Sequence, residues 1–128
     1  MAMLTCASLV RARIWADNQP TASPIATPPT IPTTNLQVLL NRALRRESLD
    51  SAVAAPRFHQ QDLPDAIQIE RGRFDAAWID ALQKMGHAIT ERGAIGRVHA
   101  IAAESDGTLT AVADPRGAGA ALVLRASP

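Results

Sequence analysis

From residue 36 onward the hydrophobic positions fall into short periodic runs; before that point they do not. Leu36, Leu39, Leu40, Ala43 and Leu44 stand at i, i+3, i+4, i+7 and i+8, the apolar stripe of a helix of about three turns, with Gln37, Asn41, Arg42, Arg45 and Arg46 on the opposite face. Thr33, Thr34 or Asn35 can cap it, since a short side-chain oxygen accepts from the free N–H groups of a first turn. Ser48 caps a second, shorter helix over 49–55, with Asp50 near its positive end. Pro56 ends that helix, because the residue ahead of a proline is kept out of the helical region. Residues 57–65 then read as irregular.

Residues 66–70 alternate as a strand does, and Arg71-Gly72 supplies a turn. Phe74, Trp78, Ala81, Leu82 and Met85 return to helical spacing, with Asp75 in the first turn and Gly86 available as a left-handed C-terminal cap. Phe74, Trp78 and Met85 read better as core packing than as a ligand box. A short strand is expected over 88–91. Residues 97–104 carry apolar side chains on both faces, the mark of a strand covered on both sides. Asp106-Gly107 suits a tight hairpin, with 109–113 as the returning strand and 118–124 as one more. The expected class is α+β, with helices on a mostly antiparallel sheet. Roughly 95 residues suffice for one modest core.

The first thirty residues are different. Residues 9–17 show no sustained period and predict at most a frayed helical turn or two. From 19 to 34 the chain is Pro, Thr, Ala and Ser, with Pro20, Pro24, Pro28, Pro29 and Pro32, each removing a donor and disfavouring helix before it. The segment 1–30 is expected to be disordered, and 31–128 to form the ordered region.

Composition then removes function classes. A net charge of +1 and a pI near 8.0 make no electrostatic case for nucleic acid or an anionic membrane. Arg42, Arg45 and Arg46 read as one solvated helix face. With no Tyr, two Phe and two Trp there is little for base stacking. Cys6 is the single cysteine, so neither an intrachain disulfide nor a thiolate metal site is expected. His59, His87 and His99 lack ligand spacing. Residues 1–10 are apolar but short, and Arg11 and Arg13 follow the run, which is not the order of a secretory signal; the chain as written is expected to stay in the cytoplasm. Asp62 and Asp65 sit in a proline-bounded polar loop and read as solvated or capping groups, not as an acid–base pair. Arg57, Asp114 and Arg116 are candidates for buried ion pairs tying two loops together. No catalytic, cofactor-binding or metal-binding residue is assigned, and no cofactor is expected.

Several stretches, taken in order, resemble a known family. Ile31-Pro32-Thr33-Thr34-Asn35-Leu36-Gln37-Val38-Leu39-Leu40-Asn41 comes first, then Ala52-Val53-Ala54-Ala55-Pro56-Arg57-Phe58-His59 and Leu63-Pro64-Asp65. Met85-Gly86-His87, Gly96-Arg97-Val98-His99-Ala100-Ile101 and Asp114-Pro115-Arg116 with Gly119-Ala120 follow. The set is similar to the C-terminal part of the small subunit of the γ-glutamyltranspeptidases (glutathione hydrolases), over about residues 31–121.

That resemblance implies an N-terminal-nucleophile hydrolase fold, a four-layer αββα sandwich, of which this chain would be a part. It implies transfer of the γ-glutamyl group of glutathione or of γ-glutamyl amides to water or an amino acid, through attack by an N-terminal threonine whose amine serves as its base. A Gly-Gly pair would hold the oxyanion. Carried over residue by residue, that apparatus is missing. The family's threonine motif lies upstream of the matched region, and Thr33-Thr34-Asn35 corresponds to the opening of a helix. Where the family has Ser-Pro-Gly-Gly, this chain has Ser23-Pro24-Ile25-Ala26-Thr27-Pro28-Pro29-Thr30, and proline has no N–H to donate. Gln60 and Asp62 replace the family's usual His and Trp. The expectation is therefore a family fragment, inactive alone. The alternatives are a subunit that completes an active site with a separately encoded chain, or a non-catalytic interaction module. The remaining part of a γ-glutamyltranspeptidase is the partner implied, with self-association through exposed sheet edges. Full-length relatives are expected to be periplasmic or extracellular.

Overall fold

The computed structural model describes residues 10–15 and 30–125. Cys6, Asp17 and the proline-rich run through Pro28 and Pro29 lie outside the described residues. In chain order the elements are β1 (Val10–Trp15), α1 (Thr30–Ala43), α2 (Leu49–Ala54), β2 (Phe58–His59), β3 (Ile67–Glu70), α3 (Ala76–Lys84), β4 (Ile89–Arg92), β5 (Ala100–Ala103), β6 (Leu109–Val112) and β7 (Ala120–Arg125).

Three small sheets result among the described residues. β1 pairs antiparallel with β7, Val10 opposite Arg125 and Trp15 opposite Ala120. Strand, not a frayed helical turn, is therefore what residues 10–15 adopt: the absence of a helical period there reflects an extended segment waiting for a partner more than a hundred residues away. β2 pairs antiparallel with β3, and β3 parallel with β4, with α3 as the crossover that a parallel pair requires. The β5–β6 hairpin is antiparallel and closes on the expected turn, where Asp106 Oδ1 accepts from the N–H and hydroxyl of Thr108 at 2.9 and 2.7 Å.

The local signals explain most helix ends. Ser48 Oγ accepts from Ser51 N, Asp75 Oδ1 from Ala77 N, and Pro56 follows the C-cap Ala55. Gly86, at φ +94°, donates to Gln83 O while His87 N reaches back to Leu82 O, closing α3 in a Schellman motif. The start of α1 differs. It begins at Thr30, ahead of the residues expected to cap it, and Pro32 lies in the first turn, where its missing N–H would have had no intrahelical partner. Thr34 is buried within the helix, its hydroxyl donating to Thr30 O at 2.7 Å.

The core is small. Val38 from α1, Leu49, Ala52 and Val53 from α2, and Val112 from β6 form it, with Val98, Ala100 and Ala102 packed against them. Ile67, Ile69 and Ile95 are buried as well.

The leucine stripe of α1 does not face this core. Thr30, Thr34 and Val38 do, whereas Leu36, Leu39, Leu40 and Leu44 are 54%, 63%, 42% and 75% exposed. The face expected to be solvated carries contacts instead: Gln37 brackets the backbone of Phe58, donating to its carbonyl at 2.8 Å and accepting its N–H at 3.2 Å. Arg42 pairs with Glu104 at 2.6 Å and donates to Glu47 O. Two further expectations fail in the same sense. α3 has no buried residue: Met85 is exposed, and half-buried Phe74 stacks at 4.7 Å on exposed Trp78, with Phe58 nearby at 6.4 Å from Trp78. β5 is shorter than 97–104 and covered on one side only; Ala100 and Ala102 face the core while Ile101 and Ala103 are exposed. Periodicity says which residues share a face. It does not say what lies against that face.

Candidate functional site

The densest chemistry in the molecule lies beneath the loop that follows α2. Four charged side chains meet there: Arg57 from the loop, Glu70 from the last position of β3, and Asp114 and Arg116 from the turn after β6. Pro56 directs this by ending α2, so that Arg57 turns back under the helix and donates to Val53 O at 2.8 Å. Its other terminal nitrogen donates to Ile95 O and Gly96 O, at 3.1 and 3.3 Å. Arg57 Nη2 pairs with Asp114 Oδ2 at 2.8 Å, both side chains being essentially excluded from solvent.

Arg116 closes the arrangement. It grips Glu70 through Nε and Nη2 at 2.5 and 2.6 Å, a two-pronged pair, and meets Asp114 Oδ1 at 3.3 Å. Its remaining donors reach Val53 O and Ala55 O, at 3.0 and 2.6 Å. Two guanidiniums thus cover the free carbonyls at the C-terminal end of α2, where positive charge is favoured. The carboxylates also bind backbone: Glu70 accepts from Arg57 N and Ile95 N, and Asp114 from Val98 N and Arg116 N. Among the described residues Arg57 Nε is the one buried side-chain atom without a partner, at a cost of about 1–3 kcal/mol.

Electrostatics follow from these contacts. Burial pushes Glu70 upward, but the bonds from Arg116 and the two backbone N–H groups together outweigh it and hold the carboxyl below its ordinary range. Asp114 is likewise raised by burial and lowered further by Arg116 N, Val98 N and Arg57, with a net depression. Burial lowers Arg57, and Asp114 offsets only part of that. Arg116 is lowered by burial yet held above its usual value by Glu70 and Asp114. Both acids are ionised, with each oxygen already accepting. Such a set fixes loops and does not move protons.

The ion pairs expected among Arg57, Asp114 and Arg116 are present, and they do tie the two loops together. Glu70 completes the set without a motif to mark it. Its signal was the strand Ile67-Gln68-Ile69-Glu70, in which an acid follows directly on a buried isoleucine at a strand end. The other candidates scatter. His59 is buried between Thr33 Oγ1 and Gln61 Oε1, both at 3.1 Å; His99 accepts from Asp114 N through Nδ1; His87 is exposed. Asp62 and Asp65 are exposed on an open cleft with Gln60, Gln61 and Leu63, and Asp65 accepts from Gln60. No group of three or more His, Cys, Asp or Glu among the described residues is placed to hold a metal ion. No helix among them is long and apolar enough to cross a membrane.

Gly96 shows how closely the site is fitted. It sits at φ +66°, and a Cβ there would stand 2.7 Å from Thr34 Oγ1. With any other residue at this position, the loop that supplies carbonyls to Arg57 or the Thr34 side chain would have to shift.

Comparison with known proteins places this architecture. Residues 29–124 match the γ-glutamyltranspeptidase family model. The glutathione hydrolase proenzyme of Escherichia coli K12 is 35% identical over 84 residues, which is 66% of this chain and 14% of that protein. A crystal structure of the Helicobacter pylori γ-glutamyltranspeptidase T380A mutant superposes with a TM-score of 0.61 at 37% identity, covering 66% of this chain and 47% of the other. The Pseudomonas nitroreducens γ-glutamyltranspeptidase complexed with L-DON gives 0.69 at 34% identity, covering 74% and 50%. The chain thus spans about half the length of the solved chains it matches and a much smaller share of the proenzyme. Its α+β layers are part of the N-terminal-nucleophile hydrolase sandwich of these enzymes, and the chain belongs to the γ-glutamyltranspeptidase family.

Proposed function

We propose that this chain is a partial γ-glutamyltranspeptidase that does not transfer γ-glutamyl groups unaided and whose natural surroundings are the remaining part of such an enzyme. The observation that carries this reading is the outward-facing leucine stripe of α1, Leu36, Leu39, Leu40 and Leu44. The exposed Ile101 and Ala103 on the far side of the β5–β6 hairpin support it. A helix-on-sheet layer that is apolar on both outer faces suits the interior of a larger assembly, and contiguous apolar patches mark surfaces meant to be covered. Full burial of a leucine is worth about 1.5–3 kcal/mol, so covering four that are roughly half exposed contributes on the order of 5 kcal/mol to docking. The four buried charged side chains pair with one another, which supports a structural role for them.

The test has two arms. The purified chain is incubated with a chromogenic γ-glutamyl anilide, and turnover at the level of the blank is expected; robust release of the chromophore would refute inactivity. The chain is then co-expressed with the remaining portion of a related γ-glutamyltranspeptidase that carries the threonine motif. Stable co-purification is expected, and its absence would refute the docking reading.

A further inference from the structure

A second feature, unrelated to γ-glutamyl chemistry, lies on the other side of the Glu70–Arg116 pair. A cleft of about 200 Å³ opens between the turn after β3 and the end of β4, walled by Arg71, Arg73 and Arg92 and by Gly93 and Ala94, with Glu70 and Arg116 behind. Four guanidiniums line one small space. Of the acids nearby, Glu70 has both oxygens held by Arg116, and Asp114 is engaged by Arg57 and Arg116. Glu91 stands 3.6 Å from Arg71 on the rim. Arg73 and Arg92 pair with no carboxylate among the described residues; they donate to neutral acceptors, Ala54 O at 2.5 Å and Gln68 Oε1 at 2.7 Å. Each retains further N–H groups beyond that single bond. The buried pair behind them is already balanced and Arg71 faces Glu91, so the uncompensated positive charge at the mouth is that of Arg73 and Arg92.

Size and charge together select the ligand. At about 30 Å³ per water the cleft holds roughly six or seven waters, below the ~300 Å³ at which pockets for larger organic ligands begin. Guanidinium walls exclude a cation. They match instead the planar, two-pronged recognition of an oxyanion. We propose that this cleft is a binding site for a small, multiply charged oxyanion, bridged between Arg73 and Arg92 with Arg71 at the rim.

Inorganic phosphate is the probe. It is titrated calorimetrically into the full chain at constant ionic strength, with chloride as control. Saturable binding that chloride does not reproduce is expected. Replacing two charge-assisted contacts, R73A with R92A, should weaken phosphate binding by about tenfold or more. Arg45→Gln with Arg46→Gln, which removes the same charge from the end of α1, should leave it within about twofold. R73K with R92K keeps the charge but loses the fork, and an intermediate loss is expected; this variant decides the matter if the alanine pair loses its native circular dichroism. Phosphate heats equal to those of chloride, or a loss no greater at Arg73 and Arg92 than at Arg45 and Arg46, would overturn the proposal. Anilide turnover and co-purification do not bear on this result, so the two readings stand or fall separately.

Discussion

Replacing Asp114 by asparagine is the most informative single change. The side chain keeps its shape, but the charge facing Arg57 and Arg116 is lost. One of its two oxygens, each now accepting from an arginine and a backbone N–H, becomes an NH2 group pointed at donors. Breaking one partner out of a buried ion pair costs about 3–5 kcal/mol, because the other charge stays behind uncompensated. At about 0.05–0.15 kcal/mol per residue, a region of this length has roughly 5–14 kcal/mol in total, so the substitution removes about a fifth of its stability or more. With a urea m-value of about 1–2 kcal/mol/M, the unfolding midpoint followed by far-ultraviolet circular dichroism should fall by about 1.5–5 M. Asp106→Asn in the exposed hairpin turn is the control. Asn-Gly suits such a turn as well as Asp-Gly, so its midpoint should barely move. Adding Arg57→Met to D114N should cost less than the sum of the two separate changes, since it removes the orphaned charge. A midpoint shift below about 0.5 M for D114N at unchanged m would refute the account of the buried cluster as the tie between the loops.

Other outcomes follow from the same contacts. Because Glu70 and Asp114 are held below their ordinary values, the unfolded chain binds protons where the folded one does not, and stability falls as pH falls. The contribution is complete above about pH 4–4.5, where unfolded carboxylates titrate, and is lost below it. Urea midpoints should be level from pH 7 to 5 and drop beneath 4; a decline already under way between 7 and 5 would contradict this. Gly96→Ala places a Cβ at 2.7 Å from Thr34 Oγ1 in a left-handed conformation and should cost at least about 1–2 kcal/mol, partly recovered by Thr34→Ala; thermal unfolding of the single and double variants measures both. Leu40→Glu with Leu44→Glu should leave the circular dichroism spectrum intact while reducing self-association in sedimentation velocity. Loss of the fold would mean that these leucines pack inward after all.

Where a signal was local, the chain could be read directly. Ser48 and Pro56 delimit α2, Asp75 and Gly86 delimit α3, and Asp106-Gly107 marks the hairpin; each acts within a few residues. β1 was illegible because nothing within Val10–Trp15 states that residues 120–125 will pair with it. β2 has only two residues, too few for alternation to show. The orientation of α1 is hidden from periodicity: the most apolar stripe of a helix normally meets its own core, and here the threonines and Val38 do so instead. Arg57, Asp114 and Arg116 could be named as partners from their loops, but Glu70 could not. Its burial depends on the parallel crossover that brings β4 and Ile95 over the strand end.

The reach of that cluster along the chain governs when it can form. Arg116 bonds to Val53 and Ala55 across more than sixty positions, and to Glu70 across forty-six. During synthesis Arg57 and Glu70 emerge long before their mates, and they must wait in water. The short-range helices and the hairpin can close while the chain is still growing, whereas the knot of charges must wait until Asp114 and Arg116 arrive. A contact made after the folding barrier slows unfolding without hastening folding. The four buried charges are thus a latch between loops far apart in the chain, complete only once Asp114 and Arg116 are in place.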